Sequence, residues 1–310
     1  SLFSPVGSFT DKLRIAKLRS KVCRGSLEHI FQAADRSTLS ELRQLGFSQK
    51  MIDQFFMPFL GGVFLDRELE TSSRMLNFVF RMFSQGSTAV PAEGMGQIAN
   101  QLASGLPKGS MRYGCRVRAV TANTVWLEDG THIESSAIVL ATGGEATASL
   151  LGIPFNPSYR RSVTCIYFSA PEPPTQEPIL VLNGEGAGPV NNLCVPSLVS
   201  RHYAPPGQHL ISTSILGGSS EDALEAAVRE QMHEWYGSQV SAWKHLRTYR
   251  ITEALPNQIT GQQPIFHQGK SRPGLYLCGD FCLQGSLNAA MYSGRSTAEE
   301  IARDLATILV

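Results

Sequence analysis

The chain has 310 residues, 42% of them hydrophobic and 17% charged, with a formal net charge of +1. This length can bury a large core and accommodates two joined domains. The even charge balance, with no basic stripe along the chain, excludes a nucleic-acid partner. Six cysteines (Cys23, Cys115, Cys165, Cys194, Cys278, Cys282) are too scattered for a disulfide framework, and neither they nor the seven histidines show metal-ligand spacing. The longest notable uncharged run, residues 55–65, is broken by Pro58 and Gly61-Gly62 and falls short of the roughly 20 residues a membrane-spanning helix needs.

Residues 9–24, 26–33, 39–45, 49–57 and 71–84 read as helices, with Thr38-x-x-Glu41 as a capping box and Gly46 and Pro58 as stops. Lys12, Arg14, Lys17, Arg19, Lys21 and Arg24 form the one basic cluster, either a solvated helix face or a contact with an anionic membrane surface. Residues 51–83 are dense in Phe and Met. That density reads as a helical core, or as the wall of an apolar tunnel or a patch dipping into lipid.

Pro91-Ala92-Glu93-Gly94-Met95-Gly96 precedes a helix over 97–104 and a short segment with Val117 and Val120. A hairpin follows, 124–127 against 131–134, turned by Asp129-Gly130, and then a buried apolar run over 137–142. After Gly143-Gly144 a short helix fits 146–151. Strand-like runs at 162–169, 179–182, 190–195 and 209–216 alternate with Pro- and Gly-rich turns, which predicts an antiparallel sheet. An amphipathic helix over 220–236 and a strand over 243–251 complete this section. Gly184-Glu185-Gly186-Ala187-Gly188-Pro189 is glycine-rich, but Pro189 and the extended run after it make it a hairpin loop rather than a phosphate-binding turn.

The last 36 residues hold a short buried strand ending in Gly279-Asp280, then a helix from about 286 to 305. Ser286, Ala290, Gly294, Ala298 and Ala302 recur every fourth position, giving a smooth face that could press against a sheet or a flat ligand. The helix N-terminus aims N–H groups and a positive dipole end past the strand, which suits phosphate. Asp280 at the strand's carboxyl end could accept hydrogen bonds from sugar hydroxyls. The other reading is a strand and helix that simply close a sheet.

Gly279-Asp280, Ser286-Leu287-Asn288-Ala289-Ala290, Ser293-Gly294 and Ala298-Glu299 resemble the C-terminal FAD signature of the amine-oxidase and phytoene-desaturase superfamily. The 91–142 section resembles its middle section, so two matches in the right order cover about 100 residues. The resemblance implies an α/β chain: an incomplete Rossmann-like FAD-binding domain interleaved with an α+β substrate domain of antiparallel sheet plus helices. Residues 1–90 would be substrate-domain helices, 91–150 the middle segment of the FAD-binding domain, 151–254 the substrate-domain sheet and helix, and 255–310 the final strand and helix of the FAD-binding domain. The expected cofactor is FAD, held by Val117, Thr142, Gly143, Gly279, Asp280, Ser286, Leu287, Asn288 and Ala289. Tyr249, Glu253 and Pro256 would line the substrate pocket. No residue is singled out as catalytic, because the flavin carries the hard step.

The superfamily opens with a strand, a Gly-x-Gly-x-x-Gly turn and a helix, and these 310 residues contain no such unit. The expectation is that it has been removed, lies outside this sequence or comes from another chain. The sequence also departs from the superfamily at Ala289, where Gly is usual, at Gly143-Gly144 and at Phe281–Gln284.

Two functions follow. One is a flavin-dependent oxidoreductase taking hydride from an apolar, isoprenoid-like substrate and passing electrons to an unidentified acceptor, with peripheral membrane contact. The other is a non-catalytic structural subunit of a larger, photosynthetic membrane complex. Likeness to cyanobacterial and plastid-type desaturases implies a plastid, with the cytoplasm as the alternative.

Overall fold

The computed structural model describes residues 6–217, 223–262 and 266–308. The first three helices, α1 (Phe9–Val22), α2 (Leu27–Gln32) and α3 (Thr38–Gln44), each begin after a serine whose hydroxyl accepts a first-turn N–H. At α1, Ser8 and Asp11 cap each other reciprocally. The box expected at Thr38 and Glu41 does not form. Ser37 is the cap there, the Thr38 hydroxyl donates to the Thr71 carbonyl at 2.7 Å, and Glu41 ion-pairs with Lys21 and Arg36.

From Gln49 the backbone stays helical to Phe64, as α4 (Gln49–Met51), a π-helical turn (Ile52–Phe56) and α5 (Met57–Phe64). Pro58 therefore does not stop a helix. It follows directly on the π-helical turn, where the Met57 N–H reaches back five residues to the Ile52 carbonyl, and this wide turn changes the register ahead of the proline. Leu65, left-handed at φ 54°, ends α5. With α6 (Ser73–Gln85) these helices enclose a core in which Leu18, Leu42, Ile52, Phe56, Leu60 and Leu76 are at most 1% exposed. The Phe47 and Phe56 rings lie 4.7 Å apart and those of Phe55 and Phe59 stack at 5.4 Å. The Phe- and Met-rich segment is thus mainly packed core, each buried ring worth about 1.5–3 kcal/mol. α7 (Gly96–Ser104) follows, with no residue fully buried.

Next come β1 (Val117–Val120), β2 (Thr124–Leu127), β3 (His132–Glu134), β4 (Ile138–Leu140) and α8 (Gly144–Leu151). They are followed by β5 (Arg160–Ala170), β6 (Val181–Leu182), β7 (Asn192–Cys194), the single turn α9 (Pro196–Val199), β8 (His209–Leu216), α10 (Leu224–Tyr236) and β9 (Lys244–Pro256). The chain closes with β10 (Gly269–Arg272), β11 (Leu275–Leu277) and α11 (Leu287–Ile308). Residues 220–222 of the helix expected over 220–236 lie outside the described residues.

The chain divides into two compact units, one from Ser1–Gly105, Arg161–Ala254 and Ile259–Gly261, the other from Leu106–Arg160, Leu255–Gln258 and Gln262–Val310. The first contains the helical core and a five-stranded sheet in the order β6-β7-β8-β5-β9. β5 and β8 pair antiparallel over eight positions, Val163 opposite Leu216 through Ala170 opposite His209. Ile166, Phe168 and Ile211 meet Leu224, Val228 and Met232 of α10 in a second core. The glycine-rich string at 184–189 is the loop between β6 and β7. Asn183 ties it down by donating to the carbonyls of Ala187 and Val190, each at 2.7 Å.

In the second unit β1, β2 and β3 form an antiparallel meander, turned at Asp129-Gly130 with Gly130 at φ 86°. A second sheet has the order β10-β11-β4, with β10 antiparallel and β4 parallel to β11. Ile138 and Leu140 of β4 and Leu275 and Leu277 of β11 pack with Ala148 and Leu151 of α8. The Tyr276 hydroxyl reaches Asp304 of α11 at 2.8 Å. Helices thus meet side chains from both strand phases, as in doubly wound sheets.

Candidate functional site

The parallel pairing of β4 and β11 sets Leu140 beside Leu277, and the Cys278 N–H donates to the Leu140 carbonyl at 3.1 Å. The two strands therefore end together. β4 runs into Thr142 and Gly143, which lead into α8. β11 runs into Gly279 and Asp280, which lead through a 3₁₀ turn (Asp280–Cys282) to α11. Both helices start from the carboxyl edge of one parallel pair, where open α/β sheets place ligands.

The local chemistry holds this edge firmly. Gly279 has φ 156°, and a Cβ there would run into the Phe281 ring, which packs edge-on against Phe266 at 5.7 Å. The Gly279 N–H donates to the Ser293 hydroxyl at 3.1 Å, and the Thr297 hydroxyl donates to the Leu277 carbonyl at 3.2 Å. At the start of α11 the Ser286 hydroxyl accepts from the Ala289 N–H at 3.1 Å. Gly285 donates to Gln258 Oε1 at 3.0 Å. A Cβ on Gly285 would sit 3.0 Å from both Gln258 Nε2 and Pro256 Cδ.

The face of α11 turned into the fold differs from the one its sequence suggests. Ala289, Ser293 and Thr297 are at most 3% exposed, whereas Ser286, Ala290 and Gly294 are half-buried and Ala298 and Ala302 are exposed. The hydroxyls of Ser293 and Thr297 draw their own row onto β11, because each satisfies a backbone group at the strand end. The smooth row is left to the side, and a Cβ on Gly294 would meet nothing within 4 Å.

Among the residues expected to hold cofactor, Thr142, Gly143, Gly279 and Asp280 come together at the strand ends, and Leu287 and Asn288 are exposed in the first turn of α11. The Thr142 hydroxyl pairs with that of Thr147 at 2.9 Å, within the first turn of α8. Val117 lies half-buried on β1, which packs beside α8. Ala289 is buried rather than presented outward, so its methyl belongs to the helix–sheet packing. Among the pocket residues expected from sequence, Pro256 abuts Gly285. Tyr249 and Glu253 lie on β9 in the other unit, where Tyr249 is 45% exposed. The sequence signature contains Ser293 without giving its role as the partner of Gly279, and neither Gln258 nor Thr297 stood out in the sequence. Only the spacing of Ser293 and Thr297, four residues apart on a helix beside a strand, hinted at their roles.

Burial holds the Cys278 thiol above its ordinary range. It pushes Cys282 up to about 12, aided by Cys278 and Asp280. Both stay protonated thiols. Lys270 at the start of β10 donates to Asp304 of α11 at 2.7 Å. That bond raises the Lys270 pKa, and bonds from Lys270 and then Tyr276 lower that of Asp304. The described residues contain no cluster of metal-ligating side chains.

Comparison with known proteins gives the family. The profile of the flavin-containing amine oxidoreductases matches residues 7–302, and the chain belongs to that family. It is thus a flavin-dependent oxidoreductase with FAD as cofactor. Among solved structures it is similar to an oxidoreductase from Methanosarcina mazei, at 16% identity and TM-score 0.69, covering 94% of this chain and 73% of that one. It is also similar to cyclohexylamine oxidase from Brevibacterium oxydans, at 12% identity and TM-score 0.63, with 96% and 75% covered. Reduced UDP-galactopyranose mutase is a further match, at 13% identity and TM-score 0.58, with 89% and 68% covered. At these identities the likeness is one of fold. No curated protein matches the chain. Nothing in the comparisons favours the structural-subunit reading.

The residues present fit FAD. The β4 and β11 ends offer two helix N-termini, a carboxylate at Asp280, and at Gly143 and Gly279 no side chain to block a close approach. This donor set suits a pyrophosphate, a sugar and a flat ring.

Proposed function

We propose that the chain takes hydride from an apolar, isoprenoid-like substrate, using FAD held along the carboxyl edge of β4 and β11. The observation that carries the cofactor placement is the parallel register of those strands, which delivers Thr142–Gly143 and Gly279–Asp280 to one edge. When bound, FAD supplies the two-electron acceptor that no side chain can. Thr142 and Gly143, with the positive end of α8, would lie by the pyrophosphate and balance its charge, and Asp280 would accept from sugar hydroxyls. Leu287 and Asn288, in the first turn of α11, would sit by the pyrimidine edge of the flavin, and the Ser286 hydroxyl caps that turn by accepting from the Ala289 N–H. Val117 offers its backbone to the adenine.

β4 is the outer strand of its sheet and its Val139 is 41% exposed. This edge suits the parallel strand of a Gly-x-Gly-x-x-Gly unit, supplied by a segment outside these residues or by another chain. Oxygen, a quinone or another acceptor would take up the electrons.

An apolar substrate is met at a membrane surface, and α1 supports such a meeting. Phe9 and Leu13 are 66% and 55% exposed, with Lys17 and Arg24 on the same helix and its C-terminal extension. No described helix is long and apolar enough to cross a membrane. Likeness to plastid-type desaturases extends the proposal to a plastid membrane. The test is anaerobic mixing of FAD-loaded protein with solubilised isoprenoid polyenes and with simple amines. Bleaching of the flavin band by polyenes alone supports the reading; bleaching by amines alone overturns the substrate assignment.

A further inference from the structure

The face of the five-stranded sheet opposite α10 carries a cleft of about 510 Å³. Its volume is in the range of small-molecule sites. Cys165, Tyr167, Leu210, Tyr249 and Ile251 give it an apolar and aromatic lining, and Arg247 is the one charged residue in it. The Tyr167 and Tyr249 rings meet edge to face, 5.8 Å apart at 88°, and the Arg247 guanidinium lies 5.0 Å from the Tyr249 ring centre.

The cation fixes what the cleft can take. Arg247 already occupies the face of Tyr249, so an ammonium group there would meet a like charge rather than an open ring. Among the described residues Arg247 forms no ion pair, and no carboxylate lines the cleft. Glu253, two residues beyond Ile251 on β9, lies outside the lining. Burial, then the neighbouring Cys165, raises the Tyr167 pKa, and burial raises that of Cys165, so both remain neutral and repel no anion. A guanidinium beside a ring in an apolar cleft has five donors to offer a planar oxyanion.

We infer that this cleft binds an elongated apolar molecule ending in a carboxylate, with the acid on Arg247 and the apolar body against Tyr167, Tyr249, Leu210 and Ile251. The inference deepens the proposed function, and rests on it only in making that acid the substrate. Binding is therefore measured apart from turnover.

The experiment titrates FAD-loaded protein with dodecanoate, below its micelle concentration, and with methyl dodecanoate, by calorimetry. The Arg247→Gln and Arg247→Lys variants are titrated in parallel. The expected result is binding of the acid at least about tenfold tighter than the ester, in line with one charge-assisted hydrogen-bonded pair. Arg247→Gln should remove that preference and leave ester binding unchanged, while Arg247→Lys keeps part of it. Equal affinity for acid and ester, or a preference untouched by Arg247→Gln, overturns the assignment. If the preference holds but the flavin is not reduced by any long-chain acid, the cleft stands as a carboxylate site and only the substrate role falls.

Discussion

The backbone N–H of Gly279 donates to the Ser293 hydroxyl at 3.1 Å, fastening the end of β11 to α11 two turns inside the helix. A strand end that must present its next residues to a ligand cannot bond them to a neighbouring strand, so its backbone needs a side-chain partner. Ser293, 0% exposed, is that partner. Replacing it with alanine leaves the Gly279 N–H unsatisfied. Ser293→Ala should cost about 1 kcal/mol of stability and weaken FAD retention. Urea unfolding and flavin release on dilution read the two effects.

Gly279 itself admits no side chain. Its φ of 156° is strained for any other residue, and an added Cβ would displace the Phe281 ring from its edge contact with Phe266. Gly279→Ala should destabilise by about 1–3 kcal/mol and reduce bound FAD, measured as the flavin-to-protein absorbance ratio.

Thiol reactivity should separate the cysteines. Cys115 is exposed, whereas Cys278 and Cys282 are buried and their thiols held above the ordinary range. A disulfide reagent at pH 8 should modify Cys115 quickly, and Cys278 and Cys282 only after unfolding. Fast labelling of Cys282 in the native protein would place it at the surface.

Asp11 is fully buried at the start of α1. Burial, the largest influence, pushes its pKa up. It is outweighed by hydrogen bonds from the Ser48 N–H at 2.8 Å, the Ser8 N–H at 2.8 Å and both serine hydroxyls at 2.7 Å, so the carboxyl titrates well below its ordinary value. A depressed folded pKa contributes stability above the unfolded value near 4, and loses it as pH falls below that value toward the folded one. Asp11→Asn should cost about 1–3 kcal/mol at neutral pH, and the variant should lose less than the parent between pH 5 and 3. Denaturant midpoints against pH check this.

Much of the fold was legible in the sequence because local signals agreed with tertiary packing. The Asp129-Gly130 hairpin, the antiparallel runs from 162 to 216 and the strand before Asp280 follow from alternation and turn chemistry. Pro58 misled because a π-turn over Ile52–Phe56 carries the helix past it, and no local sequence signal marks such a turn. The smooth face of α11 misled for a related reason. Small residues show which faces could pack closely, but the hydroxyls of Ser293 and Thr297 decide which one does. Gln258 was invisible, since its role depends on a close approach to Gly285 across 27 positions of sequence.

The central claim is that the paired ends of β4 and β11 hold FAD. The most direct measurement is the visible spectrum of the purified protein, with its chromophore released and identified, for the parent and for Asp280→Ala. The account predicts FAD bound or taken up by the parent at one per chain, with the site completed by a glycine-rich unit if needed, and a clear loss of occupancy in a folded Asp280→Ala variant. FAD retained equally by that variant, or a parent that refuses FAD even with the glycine-rich unit supplied, would contradict it.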